Sequence, residues 1–278
     1  PPPTVTTMPS SLLWNPASRW LATKLNGITS HVPPPPPEDG SPKRKMLLVH
    51  AHPLASSYSS ALAAAVEEGA RAGGHELRRI SLYDQNYGVK LTASERAAYF
   101  ETTRPERLAS DVRRALTDLS WCDSVVFVYP TWWFNVPAAL KGFFDRTFQP
   151  GSSTAGAIGA WEFPPTGCDA AGEGASSTGL RPLLTNVKRV AAVSTYGAPQ
   201  HIAFLAGDNG RNCIATAIRH GAFAPDCTCL WLGLYAIDST SGQARAPTLP
   251  SPSTLCRPRH GLSAGPGGKS QMICRHLG

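Results

Sequence analysis

Five strand-like runs mark the middle of this chain, and helical stretches separate them. Lys45 to Ala51, with Met46-Leu47-Leu48-Val49 inside it, reads as a buried strand. Residues 57–72 follow as a helix with Leu62, Ala65, Val66 and Gly69 on one face, ended by Gly73-Gly74. His75 to Leu82 alternates as a second, edge-like strand. A loop carries Tyr83 to Leu91, and residues 106–119 predict a helix that buries Leu108, Val112, Ala115, Leu116 and Leu119. Ser124 to Tyr129 is a third strand, and a helix of about 137–148 begins at Pro137. Residues 149–179 read as a Gly/Ala/Ser-rich loop. Val187 to Ser194 is strand four, Asn209 to His220 a helix, and 227–233 strand five. Strand and helix alternate, which is the pattern of a doubly wound parallel sheet. Five strands at this spacing favour the order 2-1-3-4-5 in a single α/β domain.

Composition divides the 278 residues into a folded middle and two biased ends. Residues 1–44 are rich in Pro and Ser and include Pro33 to Pro37, so they read as an extended, disordered leader. The domain is expected over 45–245. From 246 to 278 the pattern dissolves into Pro, Gly, Ser and Arg, which gives a low-complexity tail. The formal charge of +7 sits in these ends: residues 1–45 carry a net +3 and 246–278 a net +4. Residues 46–245 are therefore neutral overall, and no nucleic-acid partner is expected. No apolar stretch reaches membrane-spanning length. The seven cysteines form no CxxC pair, so a reducing, cytoplasmic setting is expected rather than a disulfide framework or a metal site. Cys227 and Cys229 read as core packing. Residues 1–37 contain no acid and nine Ser/Thr, a bias that an organelle-targeting leader shares.

The chemistry lies at three strand ends. After strand one comes His52-Pro53-Leu54-Ala55-Ser56-Ser57-Tyr58-Ser59-Ser60. GxGxxG is absent, so this is not a dinucleotide fingerprint. Hydroxyls and an imidazole cluster before a helix whose first N–H groups have no carbonyl partner, an arrangement that suits a phosphate. Ordinary capping by Ser56 or Ser57 explains the same residues equally well. His50-x-His52 has no acidic or Cys partner nearby in the sequence to make a metal site. After strand three comes Tyr129-Pro130-Thr131-Trp132-Trp133-Phe134-Asn135-Val136-Pro137. Aromatics and backbone N–H groups in such a loop suit a flat, heteroatom-rich ring such as a flavin. After strand four, Thr195-Tyr196-Gly197-Ala198-Pro199 opens into a loop in which Gly197 allows close backbone approach.

These segments resemble the flavodoxin-like NAD(P)H:quinone oxidoreductase family, which includes mammalian-type quinone reductases, the bacterial modulator of drug activity and the ancillary reductases of potassium-efflux systems. The resemblance covers about residues 45–240. It rests on Ala51-His52-Pro53 with Ser57-Tyr58-Ser59, on Leu82-Tyr83-Asp84, and on Tyr129 to Phe134 with Pro137-Ala138 and Lys141-Gly142-Phe143-Phe144-Asp145-Arg146. It continues through Leu183-Leu184 and Thr195 to Pro199, and ends at Trp231 to Tyr235. It implies a flavodoxin-like fold, a flavin (FAD, with FMN possible) and NAD(P)H as electron donor. It further implies ping-pong hydride transfer to a quinone-like acceptor and a homodimer. His52, Ser57, Tyr58 and Ser59 would hold the flavin phosphates. Pro130, Thr131, Trp132, Trp133 and Phe134 would wrap the ring edge, and Thr195, Tyr196 and Gly197 its pyrimidine side. Tyr196 and His201 are the candidate catalytic residues. Three departures stand out. Ser59 replaces the family's usual Asn, Trp132 replaces a Gln, and Pro247, Pro250 and Pro252 follow Arg245 where the family continues into a helix. A non-catalytic, regulatory flavin-binding partner is the alternative reading.

Overall fold

The computed structural model describes residues 43–85, 87–154, 156–163 and 179–238. The leader to residue 42, most of the 149–179 loop from 164 onward, and the 246–278 tail lie outside them. In chain order the elements are β1 (Lys45–His50), α1 (Tyr58–Ala72), β2 (Glu76–Ser81), α2 (Ala93–Ala97), α3 (Ser110–Trp121), β3 (Ser124–Pro130) and α4 (Ala138–Thr147). They continue with β4 (Trp161–Glu162), β5 (Arg181–Pro182), β6 (Arg189–Thr195), α5 (Gln200–Leu205), α6 (Asn209–Asn212), a π-helical segment (Cys213–Ile218), α7 (Arg219–Ala222) and β7 (Thr228–Leu234).

β1, β2, β3, β6 and β7 form one parallel sheet in the order β2-β1-β3-β6-β7, the 2-1-3-4-5 order expected from the spacing. β3 sits in the middle and is buried at all seven positions. Its Val125-Val126-Phe127-Val128 run therefore packs both ways. Val125, Phe127 and Tyr129 join the larger core cluster with side chains of α3 and α4, including Leu116, Leu119, Leu140 and Phe143. Val126 and Val128 join the smaller cluster, where Leu62, Ala63, Val66 and Ala70 of α1 cover the sheet. The buried face of α1 is thus Leu62, Ala63, Val66, Gly69 and Ala70. Ala65 is only half-buried, so the face is turned slightly from the one expected.

Several boundaries differ from the sequence reading. Pro137 is the cap residue before α4 rather than its first residue; at φ −58° and ψ 152° it still has extended backbone. The expected 106–119 helix divides into a 3-10 turn at Pro105–Arg107 and α3. The expected 209–220 helix is three segments with a π-helical middle. β4, inside the expected 149–179 loop, pairs antiparallel with β5 just after it. α2 was not foreseen, although Thr92 and Glu95 form a reciprocal capping box.

Arg146 ties three of these elements together. Its side chain is 5% exposed and pairs with Glu95 of α2 at 2.7 Å and Asp111 of α3 at 2.6 Å. It also donates to the Gly88 carbonyl at 2.8 Å. Gly142, one turn earlier, lets the Val89 backbone lie against α4; a Cβ there would collide with the Val89 carbonyl. Gly142 and Arg146 of the Lys141–Arg146 motif therefore seat the 87–97 segment on α4.

Candidate functional site

In an open parallel sheet the strand order reverses between β1 and β3, and ligands bind outside the carboxyl ends of the strands at that point. The ladder continues past the strands there. Ala51 N–H donates to the Val128 carbonyl at 3.0 Å, Thr131 N–H to Thr195 at 2.7 Å, and Tyr196 N–H to Leu234 at 2.8 Å. All three predicted segments are thereby brought to one edge.

After β1 the chain turns into α1. Ser57 caps this helix: its Oγ accepts the Ser60 N–H at 3.1 Å. The N–H groups of Tyr58 and Ser59, the first two of the helix, have no intrahelical acceptor. Ser59 is 3% exposed, and its hydroxyl is buried without a hydrogen-bond partner. His52 accepts the Leu54 N–H at Nδ1 (3.0 Å), so its neutral ring carries the proton on Nε2. Burial lowers its pKa from the usual value. Its ring lies 5.9 Å from that of Trp132, so the loop after β1 meets the aromatic loop here.

That loop is a tight turn. Trp132 N–H donates to the Asn135 carbonyl at 3.1 Å and Asn135 N–H to Trp132 at 3.0 Å. Trp133 and Phe134 occupy its centre at φ 50° and 56°. Large L side chains rarely adopt this region, at a cost of about 1–2 kcal/mol per residue. The turn's own hydrogen bonds do not use the Trp133 and Phe134 N–H groups. The Thr131 hydroxyl, 2.7 Å from that of Ser194, pins the base of the loop to β6. The Trp133 ring is 94% exposed.

The opposite wall is Tyr196, Gly197 and Ala198. The Tyr196 ring is buried and stacks on Tyr235 at 4.4 Å between centroids. Its hydroxyl donates to Asp208 at 2.7 Å; burial, then the Asp208 carboxylate, raise its pKa. Asp208 has φ 42°. The next residue, Asn209, donates through its side chain to the Phe134 carbonyl at 3.4 Å. The Gly207–Asn209 corner therefore holds both walls. Beyond Gly197, Ala236 has φ 59° and donates its N–H to Ala198 at 3.0 Å. These walls enclose an open pocket of about 520 Å³ lined by Thr131, Trp132, Trp133, Phe134, Tyr196, Gly197, Ala198 and Asp238.

The four non-glycine residues with positive φ among the described residues are Trp133, Phe134, Asp208 and Ala236. Two line this pocket and two are hydrogen-bonded to residues that do. Strain of this kind persists where the surroundings over-determine it, and it gathers at ligand sites.

The structure brings Thr131 to Phe134 together with Tyr196 and Gly197 and sets the His52 ring against Trp132; Ser57, Tyr58 and Ser59 lie at the start of α1 and are not among the pocket's lining residues. Pro130 and Thr195 are the buried strand ends beneath. His201 is exposed on α5 and is not among the lining residues. Asp208, Asn209 and Asp238 were not foreseen. Gly207-Asp208-Asn209 carries a turn signal, since Gly, Asp and Asn tolerate left-handed backbone. The Asp238 carboxylate occupies the space beside Gly197 that a Cβ would take, so this wall is narrower than a bare glycine implies. His50, the other member of the His-x-His pair, is buried and bonded to side chains of β2 and α1. Among the described residues no three metal-ligand side chains gather, and no helix is long and apolar enough to cross a membrane.

Comparison with known proteins agrees with this architecture. A family model described as flavodoxin-like fold matches residues 44–216. An Escherichia coli protein named as an NAD(P)H oxidoreductase of uncharacterised role is 28% identical over 38% of this chain and 54% of its own length. Rat NAD(P)H dehydrogenase [quinone] 1 is 31% identical over 39% of this chain and 44% of its own. The chain thus spans about half the length of the curated relatives it matches. An NAD(P)H:quinone oxidoreductase structure from Methanothermobacter marburgensis superposes with a TM-score of 0.55, at 20% identity, over 73% of this chain and 90% of that one. That likeness is one of fold. With the sheet order and the family match over most of the described residues in agreement, the chain belongs to the flavodoxin-like fold family, and the curated proteins it resembles include ones named NAD(P)H oxidoreductase and NAD(P)H dehydrogenase [quinone].

Proposed function

We propose that this protein is a flavin-dependent oxidoreductase that uses NADH or NADPH to reduce a quinone or similar electrophilic acceptor. The observation that carries the reading is the strained aromatic turn facing Tyr196 and Gly197 at the carboxyl ends of β3 and β6. The donor set fits the group. A flavin phosphate needs N–H and O–H donors, which Tyr58, Ser59 and His52 Nε2 offer. A flavin ring needs flat apolar walls and N–H donors, which Trp132, Trp133, Phe134 and Tyr196 offer. The cofactor is FAD or FMN, and when bound it would supply the two-electron chemistry that accepts a hydride from the nicotinamide and passes it to the acceptor in a second half-reaction.

The chain's own residues bind, orient and bias. The Trp133 and Phe134 N–H groups lie on a turn locked by two hydrogen bonds and by Thr131. Dipoles held in place before reaction stabilise developing negative charge without reorganising. Tyr196 acts as a wall whose position Asp208 sets. Relatives named quinone dehydrogenases support a small-molecule quinone as acceptor. A homodimer and a cytoplasmic location complete the proposal.

A regulatory flavin-binding partner is the second reading. What favours it is that the Tyr196 hydroxyl is engaged by Asp208 while His201 does not line the pocket. Steady-state oxidation of NADPH and NADH with menadione separates the two. Turnover that scales with bound flavin is the expected result. Flavin binding with no turnover for either nucleotide would favour the regulatory reading.

A further inference from the structure

We infer that the amino-terminal edge of the sheet, at the opposite end from the pocket, carries a second ligand site: a notch in which Arg44 and Arg189 bind a phosphate dianion, free or as the end of a small phosphate monoester. The inference does not depend on the flavin reading.

The pairing register puts both arginines on one face. Residues paired across parallel strands point to the same side, and successive residues alternate. Ser124 of β3 pairs with Met46 of β1 on one side and with Arg189 of β6 on the other. Met46, Val126 and Ala191 belong to the cluster that α1 covers, so Ser124 and Arg189, two residues before Val126 and Ala191, share that face. Arg44 lies two residues before Met46 and shares it too. Its carbonyl accepts the Glu76 N–H at 2.8 Å, which extends the β1–β2 ladder, and its own N–H donates to His75 Nδ1 at 3.2 Å. Lys45, on the alternate face, lies over Trp121 of α3. β1 and β6 are two strand spacings apart, about 10 Å, with Ser124 between them. Two long side chains can meet one anion across that gap.

Neither guanidinium is neutralised. Among the described residues no carboxylate forms an ion pair with Arg44 or Arg189. The acid at this edge, Asp123, accepts the Lys45 N–H at 3.0 Å and the Ser124 hydroxyl at 2.6 Å instead. Arg44 Nε is buried without a hydrogen-bond partner. Burial, then the Arg44 charge, lower the pKa values of both Arg189 and His75, and Asp123 opposes this only in part. The three basic groups therefore share one small region, and a dianion there would relieve their mutual repulsion. The guanidinium fork matches phosphate oxygens. A nucleic acid would need cations spread along a surface, whereas residues 46–245 carry no net charge. A notch with two unneutralised cations suits a single anionic group.

The test titrates the full chain with inorganic phosphate and with glycerol phosphate, followed by phosphorus NMR at constant ionic strength. Arg44→Gln and Arg189→Gln should each weaken binding about tenfold, the equivalent of one charge-assisted hydrogen bond. Lys188→Gln removes the same charge from the residue beside Arg189, but its ammonium is already paired with Asp226 at 3.0 Å, so affinity should hold. Melting temperatures without phosphate check that each variant stays folded. Phosphate should also raise the His75 pKa, read from its imidazole proton resonances, because a nearby anion favours the imidazolium; Arg189→Gln should lessen that rise. Binding of both probes supports a monoester ligand, and binding of inorganic phosphate alone supports the free ion. No binding of either probe at millimolar concentration would overturn the inference. So would Lys188→Gln costing as much affinity as Arg44→Gln, which marks a diffuse charge effect. Binding that leaves the His75 pKa unmoved and ignores both arginine substitutions would place the phosphate elsewhere, and would overturn it as well.

Discussion

At the scale of single residues, the site is built from side chains whose local preferences are overridden. Trp133 gains no burial from its position and sits at positive φ. Replacing it with Gly removes the Cβ strain of about 1–2 kcal/mol, less the backbone entropy that Gly costs, about 0.5–1 kcal/mol. Trp133→Gly should therefore be neutral to about 1 kcal/mol more stable in chemical denaturation while retaining less flavin. A variant that keeps its flavin would place the ring elsewhere. Asp208 is a second such case. Asp208→Ala strips the acceptor from the buried Tyr196 hydroxyl and should cost about 1–3 kcal/mol. Asp208→Asn keeps an acceptor and tolerates the left-handed backbone, so it should recover most of that loss. Equal melting temperatures for the two variants would show that this hydrogen bond contributes nothing. The aromatic run was legible because three consecutive large rings in a loop are unusual. The Tyr196–Asp208 bond was not, because no period in the sequence links a strand end to a corner twelve residues on.

At the scale of elements, α4 shows how tertiary contact reverses a propensity. Ala normally stabilises a helix interior over Gly by about 1 kcal/mol. At Gly142 the Val89 backbone fills the space, so Gly142→Ala should destabilise. A stabilised Gly142→Ala protein would mean that the 87–97 segment does not rest on α4. Arg146→Ala leaves Glu95 and Asp111 without their shared cation and should cost about 3–5 kcal/mol. Burial opposes the charge on both carboxyls, but hydrogen bonds from Arg146, and from Thr92 or the Gly88 N–H, outweigh it and hold their pKa values below the usual range. Such carboxylates contribute stability above the unfolded pKa and lose it as pH falls through the folded one. Below about pH 4 the network should weaken. The long elements were readable from periodicity alone. α2, α5 and the β4–β5 pair are two to six residues long, too short for a period to emerge. The Thr92–Glu95 capping box was the one local signal for α2.

At the scale of the whole molecule, the alternation of buried strands and amphipathic helices was enough to give the sheet order, because right-handed crossovers leave few alternatives. His50 couples this fold to pH in the other direction from a paired histidine. Its folded pKa of about 4 lies below the unfolded value of 6.5, so the unfolded chain binds the extra proton between them. Its contribution is complete above the unfolded value and declines as pH falls from 6.5 to about 4. His50→Gln should flatten stability against pH in that window, measured by urea denaturation at successive pH values; an unchanged slope would mean that His50 is not buried as neutral imidazole. The central claim is that the pocket between the loops after β3 and β6 holds a flavin that a nicotinamide reduces. The most direct measurement is the anaerobic visible spectrum of the purified protein before and after NADPH. The account predicts a flavin absorption band that bleaches on addition of NADPH or NADH. A band that persists after both nucleotides, or none after incubation with FAD and FMN, would contradict it.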